Sequence, residues 1–249
     1  MFTDVQGDWP THERFILTSC DDLYFEQYFP RFYKTYKEHW QLPIHVHIID
    51  PSQTSRYRLD RLPVSYTHCT TDKSVLKFPY SYETYYQAQR FILLGHNLLE
   101  NQSVIVADVD SYALRKPNET QRHTLESDMA FTEYNERLMA TFCNFHHSRR
   151  EQAKQAAEKM TDLLKNTDTI GVDQLCIKQF FNGLPYNDLK HGEWIRHRNV
   201  KTEADLQEHN KCLIYHEKGS RGKNKTVHTT WKDIEKVPLS VARQGPPLK

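Results

Sequence analysis

Residues 103–114 read SVIVADVDSYAL, an apolar run that ends in two aspartates, Asp108 and Asp110. The stretch Ser103–Ala107 is almost continuously apolar, which is typical of a strand covered on both faces. Two carboxylates spaced i, i+2 after such a strand offer the hard oxygen ligands that Mg²⁺ and Mn²⁺ prefer, with positions left open for phosphate oxygens. A cap on the following turn is the alternative interpretation, and the motif alone leaves both open.

Two further strand–helix units precede this strand. Phe15–Ser19 and Ile44–Ile49 are short apolar runs, and apolar residues recur with a helical period after the first run and again from about Ser81 to Leu99. Pro30 lies inside the first of these helices and is expected to kink or split it. Alternating strands and helices predict right-handed βαβ units, and therefore an α/β fold with a mostly parallel central sheet flanked by helices.

Acidic residues follow three of the predicted strands. Asp21 and Asp22 follow the first, Asp50 follows the second, and Asp108 with Asp110 follows the third. In open α/β sheets, ligands bind beyond the carboxyl ends of the strands. The sequence therefore predicts a functional site at this edge of the sheet, where the acidic side chains are expected to converge.

The second half of the chain has a weaker pattern. Candidate strands are Met129–Phe131, Thr141–Phe145 and Leu213–Tyr215, and predicted helices are Ser148–Lys165 and Val172–Phe181. We expect one domain over residues 1–235 and a flexible tail, rich in glycine and proline, over residues 236–249.

The overall composition excludes several classes of protein. The 33 basic and 32 acidic residues nearly cancel, which argues against a general nucleic-acid binder. Five cysteines without a CxxC pair indicate free thiols in a reducing compartment. The N-terminal residues lack the pattern of a signal peptide, and no apolar stretch approaches the ~20 residues that a membrane span needs. We therefore expect a cytoplasmic protein with no membrane span.

Five segments together resemble the nucleotide-sugar-dependent glycosyltransferases of the GT-A fold, particularly the retaining family 8. In chain order they are FILTSCDDLYFEQY (15–28), YYQAQRFILLGHNLL (85–99), VIVADVDSYAL (104–114), GVDQLCIKQFF (171–181) and IYHEKGSRGK (214–223). The resemblance implies a Rossmann-like single domain and the metal-dependent transfer of a hexose from a UDP-sugar, UDP-glucose or UDP-galactose, to a hydroxyl of a carbohydrate or other acceptor.

The resemblance also implies which residues bind the metal and the diphosphate. Asp108, Asp110 and His216 would hold Mn²⁺ or Mg²⁺. Gly219 would allow close approach of the backbone, and Lys223 would place a positive charge near the leaving diphosphate. The final lysine of this segment comes one position later than in the family, so three other basic residues remain candidates for that contact: Lys218, Arg221 and Lys225.

The remaining donor contacts are implied at the other strand ends. Asp21 would accept a hydrogen bond from the base and Tyr24 would stack on it, with Thr18 in the same segment. Asp50 is a candidate for ribose or base recognition, and Arg90 would contact the donor sugar or the diphosphate. Each has a structural alternative: a helix cap for Asp21, core packing for Tyr24 and a solvated helix position for Arg90.

Asp173 and Gln174 match the segment that the family uses on the acceptor side. They would face the anomeric carbon and stabilise the positive charge of an oxocarbenium-like state. The resemblance implies retention of configuration, with the leaving diphosphate helping to deprotonate the acceptor. An inverting enzyme would need a carboxylate base, and Asp173 is the candidate. The structural alternative is that the pair caps the helix Val172–Phe181.

Other functions compete with this one. A non-catalytic UDP-sugar or glycan-binding protein of the same fold would keep most of the same residues. A haloacid-dehalogenase-like phosphatase would use Asp108 as its nucleophile, but there the motif normally opens the domain. The pairs His45/His47 and His146/His147 are interpreted as packed or solvent-facing histidines, because no cysteine or carboxylate spacing accompanies them. The basic run 218–225 has no interleaved aromatics and fits a diphosphate better than RNA.

Overall fold

The computed structural model describes residues 2–71, 81–127, 129–134, 137–167, 171–190, 193–196, 211–216 and 230–234. The basic run 218–225 and the tail 236–249 therefore lie outside the described residues, and the expectations for them stay predictions. The same holds for the domain boundary at residue 235.

The described residues form eleven strands and seven α-helices. The strands are β1 (Phe2–Gly7), β2 (Arg14–Asp21), β3 (Ile44–Ile49), β4 (Ser65–Thr71), β5 (Ser103–Ala107), β6 (Ser111–Ala113), β7 (Ala130–Tyr134), β8 (Arg137–His146), β9 (Asn187–Asp188), β10 (Ile195–Arg196) and β11 (Ile214–His216). The helices are α1 (Asp22–His39), α2 (Gln53–Asp60), α3 (Ser81–Asn97), α4 (Glu119–Ser127), α5 (Arg150–Asn166), α6 (Val172–Phe181) and α7 (Trp231–Ile234). None of the helices in this part of the chain is long and apolar enough to cross a membrane.

Eight strands form one sheet in the order β1-β4-β3-β2-β5-β8-β7-β9. The neighbours β4, β3, β2 and β5 run parallel, whereas β1 and β8 run antiparallel to the strands beside them. This confirms the expected α/β fold with a mixed, mostly parallel sheet. Because β2, β3 and β5 are parallel, their carboxyl ends lie at the same edge, as the sequence predicts.

Helices cover both faces of this sheet. Successive residues of a strand point to opposite faces, so Phe15 and Leu17 of β2 pack in one apolar cluster with α3, α5 and α6, and Ile16 packs in another with α1. All five residues of β5 are buried, which confirms the expectation drawn from its apolar sequence. The helix layers on the two faces of the sheet therefore fix the positions of β2 and β5, whose carboxyl ends carry the acidic residues.

A second sheet has three strands, in the order β10-β11-β6. Strand β6 starts directly after Asp110 and pairs antiparallel with β11. Ser111 lies opposite His216, and Ala113 lies opposite Ile214. This pairing brings a distant part of the chain to the end of β5.

Helix α1 continues through Pro30, so the predicted split is wrong. Proline has no N–H, and the carbonyl oxygen of Glu26 therefore loses its intrahelical donor. The indole N–H of Trp231, in α7, donates to that oxygen at 3.2 Å. A side chain from far along the chain replaces the missing hydrogen bond.

Strand β4 was not expected, because its sequence SYTHCTT has few apolar residues. Its polar side chains instead bond to two buried histidines of β3. Ser65 Oγ and Thr67 Oγ1 lie 2.9 and 3.1 Å from the ring nitrogens of His45. His47 lies 3.0 Å from Thr67 Oγ1 and 3.3 Å from Cys69 Sγ. Burial lowers the pKa of both histidines to about 3, and their interpretation as packed residues is confirmed.

Candidate functional site

A cavity of about 560 Å³ opens at the carboxyl ends of β2 and β5. It is lined by eleven residues: Ser19, Cys20, Asp21, Tyr24, Tyr86, Gln87, Arg90, Asp108, Val109, Asp110 and His216. Its volume lies in the range of small-molecule sites in proteins. It occupies the edge of the sheet that the acidic residues predict.

A tight turn carries the two aspartates into this cavity. Asp108 follows β5, and its backbone N–H donates to the carbonyl oxygen of Thr141 at 2.9 Å. The carbonyl oxygen of Asp108 accepts from the backbone N–H of Ser111 at 3.0 Å and from the Ser111 hydroxyl at 2.6 Å. Both neighbouring strands therefore hold the turn.

His216 completes a cluster with these aspartates. Its Nε2 lies 3.3 Å from Asp108 Oδ2 and 3.1 Å from Asp110 Oδ1. Ligand atoms of the three residues all lie within 4.8 Å of one another, and no other such group of histidine, cysteine, aspartate or glutamate occurs among the described residues. Two carboxylates and one imidazole fit Mn²⁺ or Mg²⁺ and leave coordination positions for other oxygens. The three predicted ligands thus come together.

The charges of this cluster act strongly on His216. Burial by itself lowers the pKa of its imidazole. The nearby carboxylates of Asp110 and Asp108 raise the pKa by more than burial lowers it, and the result is a pKa of about 10. Without a cation between the carboxylates, the imidazole therefore stays protonated and bonds to both. A metal ion held by the three residues would take the place of that proton, because only a neutral imidazole is a ligand.

Arg90 connects this cluster to a second carboxylate. Its Nη1 lies 2.6 Å from Asp108 Oδ1, and its Nη2 lies 3.5 Å from Asp173 Oδ2. Nη2 also donates to the carbonyl oxygen of Ala140 at 3.2 Å. The side chain is 5% exposed, so the solvated alternative for Arg90 is wrong.

Asp173 lies in the first turn of α6, buried beside Arg90. Burial raises the pKa of its carboxyl group, and the guanidinium of Arg90 opposes that rise. The N-cap of α6 is Gly171, with a positive φ of 72°, so Asp173 and Gln174 are not its cap residues.

Gln174 bonds to the backbone of β8. Oriented to satisfy both groups, its amide donates to the carbonyl oxygen of Leu138 at 2.6 Å and accepts from the N–H of Ala140 at 2.8 Å. Neither Gln174 nor Asp173 lines the cavity directly. Asp173 contacts Arg90, which does line the cavity. Gln174 connects α6 to the backbone of β8.

A bulge in β8 makes these contacts possible. Along β7, Phe131 pairs with Cys143 and the next residue, Thr132, pairs with Met139, so the residues between them on β8 have no partner on β7. Ala140 lies in this bulge and gives its N–H to Gln174 and its carbonyl to Arg90. Bulges commonly redirect backbone groups next to functional sites.

At the other end of the cavity, Asp21 is both a cap and a lining residue. Its Oδ1 accepts from the backbone N–H of Tyr24 at 2.8 Å and caps α1. The structural alternative for Asp21 is therefore confirmed, although it does not exclude a role toward a ligand. The half-buried ring of Tyr24 lies 5.1 Å from that of Tyr28 and also faces the cavity.

The remaining predicted donor residues lie elsewhere. Thr18 is fully buried within β2, one residue before the lining residues of that strand. Asp50 has a positive φ of 51°, and its Oδ1 accepts from the backbone N–H of Thr71 at 2.7 Å, which ties the ends of β3 and β4 together. Gly219 and Lys223 lie outside the described residues.

Sequence reasoning missed four polar lining residues. Tyr86 and Gln87 lie one turn before Arg90 on α3, and helical spacing from Arg90 would have found them. Ser19 and Cys20 directly precede Asp21 on β2. The Ser19 Oγ is buried and has no hydrogen-bond partner among the described residues, so a ligand in the cavity can bond to it.

Comparisons with known proteins show what kind of fold this is. No protein-family model and no curated protein matches the chain. Among solved structures, the galactosyltransferase LgtC in complex with donor and acceptor sugar analogues matches with a TM-score of 0.57 at 11% identity, over 93% of this chain and 97% of that one.

Two further solved structures match over most of this chain. The bifunctional glycosyltransferase WbbM has a TM-score of 0.59 at 14% identity over 86% of this chain, and GlyE of Streptococcus pneumoniae has 0.58 at 15% over 92%. The chain spans only 47% of the WbbM chain and 62% of GlyE. Likeness at such identities concerns the fold: this chain has the GT-A glycosyltransferase fold that its sequence resembles.

Proposed function

We propose that this protein is a divalent-metal-dependent glycosyltransferase that moves a hexose from a UDP-sugar to a hydroxyl acceptor with retention of configuration. One observation carries the proposal: Asp108, Asp110 and His216 converge at a cavity of about 560 Å³ at the carboxyl edge of a glycosyltransferase fold. The solved structure of LgtC, a galactosyltransferase, contains donor and acceptor sugar analogues, which supports a sugar nucleotide as the ligand of this chain.

The metal cluster would bind the diphosphate end of the donor. Asp108, Asp110 and His216 would hold Mn²⁺ or Mg²⁺, which supplies Lewis-acid stabilisation of the charge on the leaving diphosphate. Lys223, with Gly219 before it, is our candidate for a further cationic contact to the same oxygens. Asp21, Tyr24 and the unpartnered hydroxyl of Ser19 would recognise the nucleoside at the other end of the cavity.

Arg90 and Asp173 would act on the sugar. Burial raises the pKa of the Asp173 carboxyl group, and the guanidinium of Arg90 opposes that rise. A buried carboxylate close to the reacting sugar stabilises the positive charge that develops at the anomeric carbon. Because Gln174 is bonded to β8, we assign it a positioning role in α6 and Asp173 the electrostatic role.

In the proposed reaction, the bond from the anomeric carbon to the β-phosphate oxygen breaks, and a bond to the acceptor oxygen forms on the same face. The acceptor proton passes to the departing diphosphate. This course follows the family that the sequence resembles. If the product is inverted instead, Asp173 becomes the candidate base that takes the acceptor proton.

A UDP-release assay with a panel of UDP-sugars, with Mn²⁺ or with EDTA, tests the proposal. We expect Mn²⁺-dependent release of UDP with at least one donor. NMR of the product should show the same anomeric configuration, α or β, as the donor sugar. Tight UDP binding with no release from any donor would favour a non-catalytic binder instead.

Two variants separate the two carboxylate roles. Asp110→Asn should remove the thermal stabilisation by UDP with Mn²⁺, whereas Asp173→Asn should keep that stabilisation and lose release by at least ~100-fold. The matched control is Asp162→Asn, an exposed aspartate of α5 paired with Lys159. Stabilisation that survives in Asp110→Asn would show that the metal assignment is wrong.

A further inference from the structure

Ser111 lies next to all three predicted metal ligands. It directly follows Asp110 and lies opposite His216 in the pairing of β6 with β11. Its hydroxyl donates to the carbonyl oxygen of Asp108 at 2.6 Å. The residue is 1% exposed, so water does not compete for this hydrogen bond.

A second hydroxyl supports Ser111 from behind. Tyr36 Oη, in the C-terminal half of α1, lies 3.2 Å from Ser111 Oγ. A serine hydroxyl has one proton, and Ser111 gives it to Asp108. Tyr36 is therefore the donor in the second bond, and the hydrogen bonds run in one direction from Tyr36 through Ser111 to Asp108. Chains of this kind strengthen each bond by polarisation.

Helix α1 also holds the other two residues of β6. The Thr35 hydroxyl accepts from the backbone N–H of Ala113 at 3.2 Å. The guanidinium of Arg31 lies 3.4 Å from the ring centroid of Tyr112. Helix α1 therefore contacts every residue of β6, and its Tyr36 contact is the one that leads through a hydroxyl to Asp108.

We propose that Ser111, with Tyr36 behind it, is a positioning residue for the divalent metal, which rests on the proposed function. The hydroxyl holds the turn that spaces Asp108 and Asp110 at the position where β11 presents His216. Without it, the turn keeps only its two backbone bonds, from Ser111 to Asp108 and from Asp108 to Thr141, and the carboxylate of Asp108 relaxes toward the neighbouring guanidinium of Arg90. Groups that orient metal ligands in this way typically contribute 10- to 100-fold in metal affinity.

The test measures Mn²⁺ binding directly, by the electron paramagnetic resonance signal of free Mn²⁺, with and without UDP. We expect Ser111→Ala to raise the dissociation constant by about tenfold or more, and Tyr36→Phe to raise it by a few-fold. Pulsed electron paramagnetic resonance of bound Mn²⁺ should detect a coupling to the imidazole nitrogen of His216 in the wild type. This coupling should be weaker in Ser111→Ala. Urea unfolding establishes that each variant folds.

Thr35→Val is the matched control, because it removes a contact between α1 and β6 without touching the hydroxyls that lead to Asp108. We expect its Mn²⁺ affinity to match the wild type. If the wild type binds Mn²⁺ and Ser111→Ala and Tyr36→Phe bind equally well, the positioning role is wrong while the proposed function stands. If the wild type binds no Mn²⁺ in either condition, both the proposed function and the positioning role are wrong.

Discussion

Arg90 Nη1 lies 2.6 Å from Asp108 Oδ1, while the other guanidinium nitrogen of Arg90 faces the buried Asp173. One cation thus links a carboxylate of the candidate metal cluster to the carboxylate that we place beside the reacting sugar. The other carboxylate oxygen of Asp108, Oδ2, lies 3.3 Å from His216 Nε2. A change at Arg90 therefore affects both carboxylates.

The first prediction concerns this link. Arg90→Gln removes the cation that faces both Asp108 and the buried Asp173, and removing one partner of a buried ion pair costs about 4 kcal/mol. Urea unfolding at neutral pH measures the loss. Arg150→Gln, which breaks the exposed pair of Arg150 with Glu100, is the control and should change the free energy of unfolding by less than about 1 kcal/mol. An equal, small effect of the two variants would contradict the buried pair.

The second prediction concerns acid stability. His45 and His47 are neutral in the folded protein, because burial lowers the pKa of each to about 3 from the ordinary 6.5. Below pH 6.5 the unfolded chain takes up protons that the folded chain does not, so the free energy of unfolding falls as the pH falls toward 3. Each histidine contributes a slope of about 1.4 kcal/mol per pH unit. Urea unfolding between pH 7 and pH 4 measures the slope.

The variant His45→Gln/His47→Gln should flatten this slope, whatever it does to stability at pH 7. His12→Gln, at an exposed position, serves as the control and should leave the slope unchanged. A slope that is the same in the double variant and the wild type would contradict the assignment of this acid sensitivity to His45 and His47.

The third prediction concerns Trp231 and Pro30. Trp231→Phe keeps an aromatic ring but removes the hydrogen bond to Glu26, which should cost about 1 kcal/mol. In a Pro30→Ala background, the new backbone N–H serves Glu26, and the same change should cost clearly less. A double-mutant cycle by urea unfolding measures this coupling.

Trp40 offers the matched control for that cycle. It is 8% exposed, as Trp231 is, and its indole nitrogen has no hydrogen-bond partner in the part of the chain that the structure describes. Trp40→Phe should therefore show no coupling to Pro30→Ala. A cost of Trp231→Phe that is equal in both backgrounds would show that the indole N–H does not replace the missing bond.

The fourth prediction concerns the crossing of α3 and α5. A Cβ added to Gly95 would lie 2.4 Å from the carbonyl oxygen of Ala153 and 2.5 Å from the Cβ of Ala157. We expect Gly95→Ala to destabilise the fold by about 1–3 kcal/mol, although alanine favours a helix over glycine. Because α3 carries Arg90, Mn²⁺-dependent activity should fall as well.

Thermal and urea unfolding measure this effect. Gln155→Ala, on the exposed side of α5, is the control and should stay within about 0.5 kcal/mol of the wild type. A Gly95→Ala variant as stable as the wild type would mean that the two helices separate without cost.

Much of the central sheet could be predicted from the chain itself. Strands β3 and β5 and helix α6 have the bounds that their apolar runs predict. Strand β4 could not be predicted in this way, because its polar residues become acceptable inside the fold only when His45 and His47 bond to them. The alternation of apolar residues reports burial, and it fails where hydrogen bonds make burial of polar groups possible.

The candidate site divides along the same line. Local spacing brings Asp108 and Asp110 together, because two residues at i, i+2 after a strand are close in any fold, and the helical cap by Asp21 is equally local. The partners of these residues are not local. His216 reaches the aspartates through the register of β11 on β6, and Arg90 reaches Asp173 through a bulge in β8.

The amino-acid sequence therefore determined the apolar strands such as β3 and β5, the acidic strand ends and the class of fold, since each follows from the chemistry of neighbouring residues. Strand register, the bulge at Ala140 and the docking of Trp231 on Glu26 became known only from the folded chain. Each depends on contacts between residues that are far apart in sequence, and the free energy of such a contact exists only after the intervening chain has packed.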